Sequence, residues 1–102
     1  MKNIADLHRE AGGRCSYCDR LTYLTAGEGG LDALAVREHR IPRSRGGGNQ
    51  ASNIALSCYR CDQIKGRSTD DEFLDRLARD RRREMDAIWR TNLKRQDEGG
   101  AD

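Results

Sequence analysis

The chain has 102 residues, of which 35% are hydrophobic and 35% are charged, and its formal net charge is +2. A domain of this size and polarity buries too little apolar surface for a large core, so we expect something besides burial to stabilise the fold. No apolar run approaches membrane-spanning length and no lipid-anchor signal is present, which argues against attachment to a membrane.

The first third of the chain predicts a short helix followed by a cysteine-containing turn. Residues 3–10 have their apolar side chains on one side, and Asn3 is a suitable N-cap, so we expect a helix that ends at the two glycines beyond it. Residues 14–20 then form a turn around a C-x-x-C pair. Residues 21–32 contain three glycines and predict a loop, which short strands could frame.

The middle of the chain predicts a strand, a turn, a second strand and a helix. Residues 33–39 (ALAVREH) and 53–57 (NIALS) favour strands, and Pro42 ends the first because it lacks an N–H group. A run of three glycines lies between the strands. The second strand leads into a helix over residues 59–65, which stops at Gly66. This order predicts a ββα unit.

The last third of the chain predicts one long helix over residues 69–96, because apolar residues recur at helical spacing and nothing breaks the pattern. We expect its first half to dock on the core and its second half to leave Trp89 for a protein partner. We therefore divide the chain into a core of residues 1–67, a helix of residues 68–97 and a disordered tail of residues 98–102.

Four cysteines form two C-x-x-C pairs, Cys15 with Cys18 and Cys58 with Cys61. This pattern is typical of a structural Zn(II) site with four thiolate ligands, and the long gap between the pairs leaves room for inserted structure. The alternative is two disulfides in a secreted mini-protein. The polar N-terminus has no signal peptide, so we favour zinc and an intracellular location.

One cluster of residues has the chemistry that phosphodiester hydrolysis requires. His39 is a suitable general base, since an imidazole titrates near neutral pH. Glu38 and Asp62 offer hard oxygen ligands for a catalytic Mg(II) or Mn(II) ion, which is separate from the structural zinc. Asn53 could hydrogen-bond the strand that carries His39 and hold the imidazole in place. Taken singly, each of these residues could instead have a purely structural or surface role.

The segments EHRIPRSRGG, NIAL and CYRC, followed by Asp62 and Lys65-Gly66, resemble the HNH endonucleases of the ββα-metal type, in the variety braced by four cysteines. The resemblance covers about residues 10–67. It implies an α+β fold with a small, treble-clef-like core, His39 as general base and metal-dependent hydrolysis of DNA to a 5′-phosphate and a 3′-hydroxyl. It also implies that Asn53 orients His39. Two departures are that Glu38 replaces the commoner Asp and that Asp62 replaces the usual Asn or His.

Basic side chains concentrate around this segment. Residues 1–67 carry eleven Arg and Lys against seven Asp and Glu, whereas residues 68–102 carry eight against ten. A polyanion such as DNA is therefore a plausible partner of the first part, although a solvated basic surface is the alternative. The side chains expected to contact DNA are Arg40, Arg43, Arg45, Arg60, Lys65 and Arg67.

Two further hypotheses follow from the same residues. The chain could be a non-catalytic zinc module that binds DNA or a protein through its basic face and the Trp89 region. It could also be an accessory of a larger nucleic-acid machine, such as viral DNA packaging, in a bacterial or phage-infected cell. No extended recognition element is evident, so we expect weak sequence specificity of cleavage.

Overall fold

The structure is a computed structural model that describes the backbone of residues 2–99 and the side chains of residues 2–83 and 87. The chain forms two compact units, Met1–Asp71 and Glu72–Asp102. The predicted α+β class is confirmed, with a β-hairpin, a four-cysteine cluster, an N-terminal helix and a long C-terminal helix. Within the described part of the chain, no helix combines the length and apolarity that a bilayer crossing requires.

The centre of the first unit is an antiparallel hairpin of strands β1 (Ala35–His39) and β2 (Ile54–Cys58). His39 pairs with Ile54, so the hairpin opens directly beyond the histidine. Strand β2 is buried along its whole length, which indicates that both of its faces are covered. The connection of residues 40–53 contains the proline and the three glycines.

Two short helices cover the hairpin. Helix α1 (Ile4–Glu10) begins at Asn3, whose side chain accepts a hydrogen bond from the backbone N–H of Asp6, as the sequence predicts. The segment before α1 reaches β1, because Arg37 Nη1 donates to the carbonyl of Lys2 at 3.1 Å. Helix α3 (Tyr59–Lys65) begins directly after β2 and contacts both strands.

Helix α3 spans Tyr59–Lys65, the range that the sequence predicts. Its N-cap is Cys58, whose sulfur accepts from the backbone N–H of Cys61, and it ends at Gly66, whose φ is +54°. Because Cys58 caps the start of α3 and Gly66 ends it, the local sequence is sufficient to predict the bounds of this helix. Because α3 starts at a cysteine of the second pair, that pair fixes the direction in which the helix leaves the hairpin.

The segment between the first cysteine pair and β1 has more structure than the predicted loop. It includes the one-turn helix α2 (Ala26–Gly29) and a turn at Leu31–Ala33. Isolated bridges join Arg14 to Leu21 and Tyr23 to Leu34. These two bridges frame the segment with short extended pairs, as the sequence allows.

Helix α4 spans Asp70–Gly99 and is stabilised locally by an Arg79–Asp75 ion pair at 2.9 Å, four residues apart. The Trp89 side chain, expected to meet a protein partner, lies outside the described residues. Of the tail expected to be disordered, residues 98–99 continue the helix and residues 100–102 lie outside the described part.

A buried lysine joins α3 to the end of β1. Lys65 is 1% exposed, and its ammonium donates to Glu38 Oε1 at 3.3 Å, to the carbonyl of His39 at 2.9 Å and to the carbonyl of Ser68 at 2.7 Å. All three protons of the ammonium therefore have acceptors. Burial of this charge is tolerated because the ammonium is fully hydrogen-bonded.

We expect Lys65→Ala to lower the free energy of unfolding by about 3 kcal/mol, because it leaves the Glu38 carboxyl and two carbonyl groups buried without their partner. Urea denaturation of the zinc-loaded protein measures this loss. The matched control is Arg60→Ala on the exposed side of the same helix, which should change stability by less than about 0.5 kcal/mol. Equal values for the two variants would show that the buried ammonium does not hold α3 to β1.

Candidate active site

The four cysteines converge on one point. The sulfur atoms of Cys15, Cys18, Cys58 and Cys61 all lie within 4.8 Å of one another, and the Cys18 and Cys58 sulfurs are 3.8 Å apart. Three of the four residues are buried. None of them forms a disulfide, so the disulfide alternative does not hold in this structure. A cluster of this size fits a tetrahedral ion with four sulfur ligands.

Local backbone geometry prepares both cysteine pairs for a cation. The N–H of Tyr17 points to the sulfur of Cys15 at 3.4 Å, and the N–H of Cys61 points to the sulfur of Cys58 at the same distance. Asp19, with φ of +64°, turns the chain back after the first pair. Such N–H groups stabilise sulfur in its thiolate form.

Proton affinities in the cluster also favour a cation. Burial acts to raise the pKa of Cys15, but hydrogen bonds from the backbone around Cys18, Cys58 and Tyr17 outweigh it and lower that pKa to about 7. Burial and the charge of Cys15 raise the pKa of Cys61. One thiolate thus makes the next one harder to form, and a divalent cation removes this obstacle. The cluster is consistent with structural zinc.

The second group of interest is a pair of carboxyl groups at the junction of β1 and α3. Glu38 is 7% exposed and lies on β1, whereas Asp62 lies in the first turn of α3. Burial is the largest cause that raises the pKa of Glu38, to about 8, and the hydrogen bond and charge of Asp62 raise it further. The Lys65 ammonium acts in the opposite direction without cancelling these effects. The structure therefore brings the two predicted metal ligands together.

His39 follows Glu38 on the strand but has different neighbours. Its Nε2 lies 2.8 Å from Oδ1 of Asn49, in the loop between the strands. Glu38 instead contacts Lys65 and Asp62 of α3, which agrees with the alternation of side chains along a strand. Within the described residues, the four cysteines are the one group of three or more His, Cys, Asp or Glu side chains that converges within 4.8 Å.

Asn53 does not contact the imidazole. Its buried side chain accepts from the N–H of Ile41 at 2.9 Å and donates to the carbonyls of Ile41 at 3.1 Å and Gly48 at 2.8 Å. The amide of Asn53 thus bonds the chain two residues beyond His39 and closes the loop between the strands, so any orientation of the imidazole by Asn53 is indirect. The residue that does contact His39 is Asn49, which no spacing in the sequence distinguishes.

Residues 29–78, about half of the chain, match the family model described as HNH endonuclease. The chain carries an HNH endonuclease domain. The matched residues include Glu38, His39, Asn53 and the second cysteine pair, but not Cys15 and Cys18. No match was found among curated proteins or among solved structures.

A polar network joins the first cysteine pair to the HNH domain, in addition to the convergence of the four cysteine sulfurs. The buried Tyr17 donates its hydroxyl to Asp70 at 2.6 Å, and Arg40 contacts the other oxygen of Asp70 at 2.7 Å. The backbone N–H of Asp70 donates a hydrogen bond to the carbonyl of Arg40 at 2.9 Å. Burial, with the hydrogen bond to Asp70, raises the pKa of Tyr17, so this hydroxyl stays protonated and can donate.

The six basic residues expected to contact DNA differ in their accessibility. Lys65 is buried and saturated by protein oxygens, which removes it from any surface that DNA could reach and corrects that expectation. The Arg40 side chain is 43% exposed but is paired with Asp70. The other four are exposed, and two of them bond within the HNH domain, Arg43 to Asn49 and Arg45 to the carbonyl of Arg67.

We expect the purified protein to contain one zinc ion per chain, measured by elemental analysis, and Cys58→Ser to lose it together with the folded structure. Circular dichroism should show that a strong chelator unfolds the wild type and that zinc restores it. The matched control, Asp62→Ala, should keep its zinc because its carboxylate is outside the cysteine cluster. A stable fold without zinc would contradict this assignment.

Proposed function

We propose that this chain is a metal-dependent HNH endonuclease that hydrolyses phosphodiester bonds of DNA, by nicking or cutting. The observation that carries this proposal is the contact between the Glu38 and Asp62 carboxyl groups, one residue from His39, in a domain that matches the HNH endonuclease family. Glu38 is buried and Asp62 is half-buried beside it, and two neighbouring carboxylates favour a nearby cation. Family membership supplies the substrate class, DNA.

In this proposal Glu38 and Asp62 hold one divalent ion, Mg(II) or Mn(II). Their chemistry fits, since both ions prefer oxygen ligands and keep several waters. When bound, the cation would neutralise charge that develops on the phosphate and on the leaving oxygen. The zinc of the cysteine cluster takes no part in the reaction and fixes the start of α3, which carries Asp62.

His39 is the proposed general base, which removes a proton from the attacking water. β1 ends at His39. The side chains of Glu38 and His39 leave opposite faces of the strand, so they can approach a phosphate that lies across the strand end from its two sides. A cavity of about 380 Å³ adjoins this position, with Asn49 and Ile54 among its lining residues. Since Ile54 pairs directly with His39, substrate can approach the imidazole from this side.

The exposed arginines of the HNH domain are the proposed phosphate contacts. Arg60 and Arg67 form no ion pair with an acidic side chain among the described residues, and the Arg45 side chain is exposed. Their contribution to DNA affinity should decrease with added salt, as counterion release requires.

A second candidate function is DNA or protein binding without cleavage. The observation that favours it is the Lys65 ammonium, 3.3 Å from Glu38 Oε1, because this fixed positive charge competes with a divalent ion for the same carboxylate. Cation binding then requires Glu38 to release its proton and to share its charge between Lys65 and the ion. The two functions make opposite predictions for DNA in the presence of Mg(II) or Mn(II).

We expect the zinc-loaded protein to nick supercoiled plasmid DNA with Mg(II) or Mn(II), and His39→Ala to lower the rate by at least about 100-fold, because general-base catalysis contributes at least that much. The measurement is conversion of supercoiled to open-circular plasmid on agarose gels. The matched control is His8→Gln, since the His8 ring on α1 bonds the carbonyl of Thr22 at 2.9 Å, away from the carboxyl pair, and its loss should leave the rate unchanged.

The non-catalytic alternative predicts salt-sensitive DNA binding that persists in His39→Ala, with no nicking under any divalent ion. Equal nicking rates for the wild type and His39→Ala would also contradict the proposed role of His39. Retained zinc in both histidine variants separates these outcomes from loss of the fold.

We also expect cation binding to release a proton from Glu38. With its pKa raised to about 8, Glu38 is mostly protonated at neutral pH in the cation-free protein. The affinity for Mn(II) should therefore rise as the pH increases toward 8 and level off above it. Calorimetry in two buffers of different ionisation enthalpy measures the protons released, and we expect roughly one per ion near neutral pH.

The matched control for this measurement is Glu38→Gln, which keeps the size of the side chain but removes both the charge and the proton. It should abolish Mn(II) binding outside the cysteine cluster. Binding that is unchanged in Glu38→Gln, or that releases no proton, would show that the ion does not use Glu38.

A further inference from the structure

The side-chain oxygen of Asn49 is the meeting point of three nitrogen atoms. Oδ1 lies 2.8 Å from Nε2 of His39, 2.8 Å from Nη2 of Arg43 and 3.3 Å from Nε of Arg43. Asn49 is exposed and follows the run of three glycines in the loop between the strands. It is the one side chain that contacts the imidazole of His39 among the described residues.

The arginine identifies which end of the Asn49 amide faces the histidine. A guanidinium has only donors, so the Asn49 atom that receives both of its bonds must be the oxygen and not the NH₂ group. That same oxygen can only accept. The nitrogen of His39 that faces it, Nε2, must therefore carry a hydrogen, which fixes the tautomer of the neutral ring.

We propose that Asn49 is the positioning residue that holds His39 as its Nε2–H tautomer and leaves Nδ1 as the nitrogen that accepts the proton from water. This inference rests on the proposed function of His39 as general base. Nδ1 makes no hydrogen bond within the described residues, so its lone pair is available. A neutral ring with hydrogen on Nδ1 would instead leave two lone pairs, on Nε2 and on the Asn49 oxygen, facing each other.

The loop that carries Asn49 is itself fixed in three places. The Asn53 amide bonds the carbonyls of Ile41 and Gly48, the latter directly before Asn49. Gly47 has no room for a side chain, because a Cβ there would overlap the carbonyl of Ile41. Asn53 thus affects His39 indirectly, because it fixes the loop position of Asn49.

Arg43 has a part in this arrangement that differs from a simple phosphate contact. Its two bonds to Asn49 keep the amide oxygen directed at His39 and prevent the amide from turning over. A planar fork of donors holds such an acceptor better than a single ammonium can. The same guanidinium remains exposed.

Nuclear magnetic resonance of the ¹⁵N-labelled, zinc-loaded full chain tests the tautomer without any cleavage assay. At a pH where the ring is neutral, we expect His39 to show hydrogen on Nε2, with slow exchange of that proton because Asn49 accepts it. In Asn49→Leu the slow exchange should be lost and the ring should populate both tautomers. A wild-type ring with hydrogen on Nδ1 would overturn the proposal.

Cleavage kinetics test the consequence for catalysis. We expect Asn49→Leu to lower kcat by about 10- to 100-fold with little change in KM, as loss of a partner that orients a functional histidine does. Asn49→Asp keeps an acceptor and should restore both the tautomer and most of the rate. The control Ser52→Ala changes another exposed polar residue of the same loop and should change neither.

These outcomes separate this inference from the proposed function. If the wild type cleaves no DNA, the proposed function fails, while the imidazole spectrum still decides the tautomer. If the wild type nicks DNA and Asn49→Leu nicks equally fast, Asn49 does not position the base. An Asn49→Asp variant as slow as Asn49→Leu would also contradict the proposed acceptor role.

Discussion

The arrangement of this HNH domain depends on one buried ammonium group. Lys65 bonds a carboxyl and a carbonyl of β1 and a carbonyl of the segment that precedes α4. It thereby fixes α3 against the strand whose last two residues are Glu38 and His39. The cysteine cluster holds the first turn of α3 at the end of β2, and Lys65 holds its last turn against β1. Together these two contacts bring Asp62 close to Glu38.

The cysteine cluster lies where β2 meets α3, and the carboxyl pair lies between β1 and the first turn of α3. In each, burial and a neighbouring acidic group raise the pKa of one member: Cys15 acts on Cys61, and Asp62 acts on Glu38. A divalent cation relieves both, but the ligands differ in softness: sulfur suits zinc, and carboxylate oxygen suits magnesium or manganese. In the proposed function, this difference lets one short helix connect a structural zinc site with a separate site for a catalytic cation.

The sequence predicts the ββα order because each element carries its own local signals. Cys58 caps α3 and Gly66 ends it, so its bounds agree with the prediction residue for residue. The contacts of Asn49 and Lys65 could not be predicted in the same way. Asn49 meets His39 only through the path of a glycine-rich loop, and Lys65 belongs to a basic run that is typical of an exposed surface until α3 packs on β1.

The central claim is that Glu38 and Asp62 share one divalent cation beside His39. Anomalous diffraction from crystals of the zinc-loaded protein soaked in Mn(II) tests it most directly. The account predicts two separate peaks, zinc among the four cysteine sulfurs and manganese between the two carboxylates. A single peak at the cysteines, with Glu38 still bonded to Lys65 alone, would contradict it.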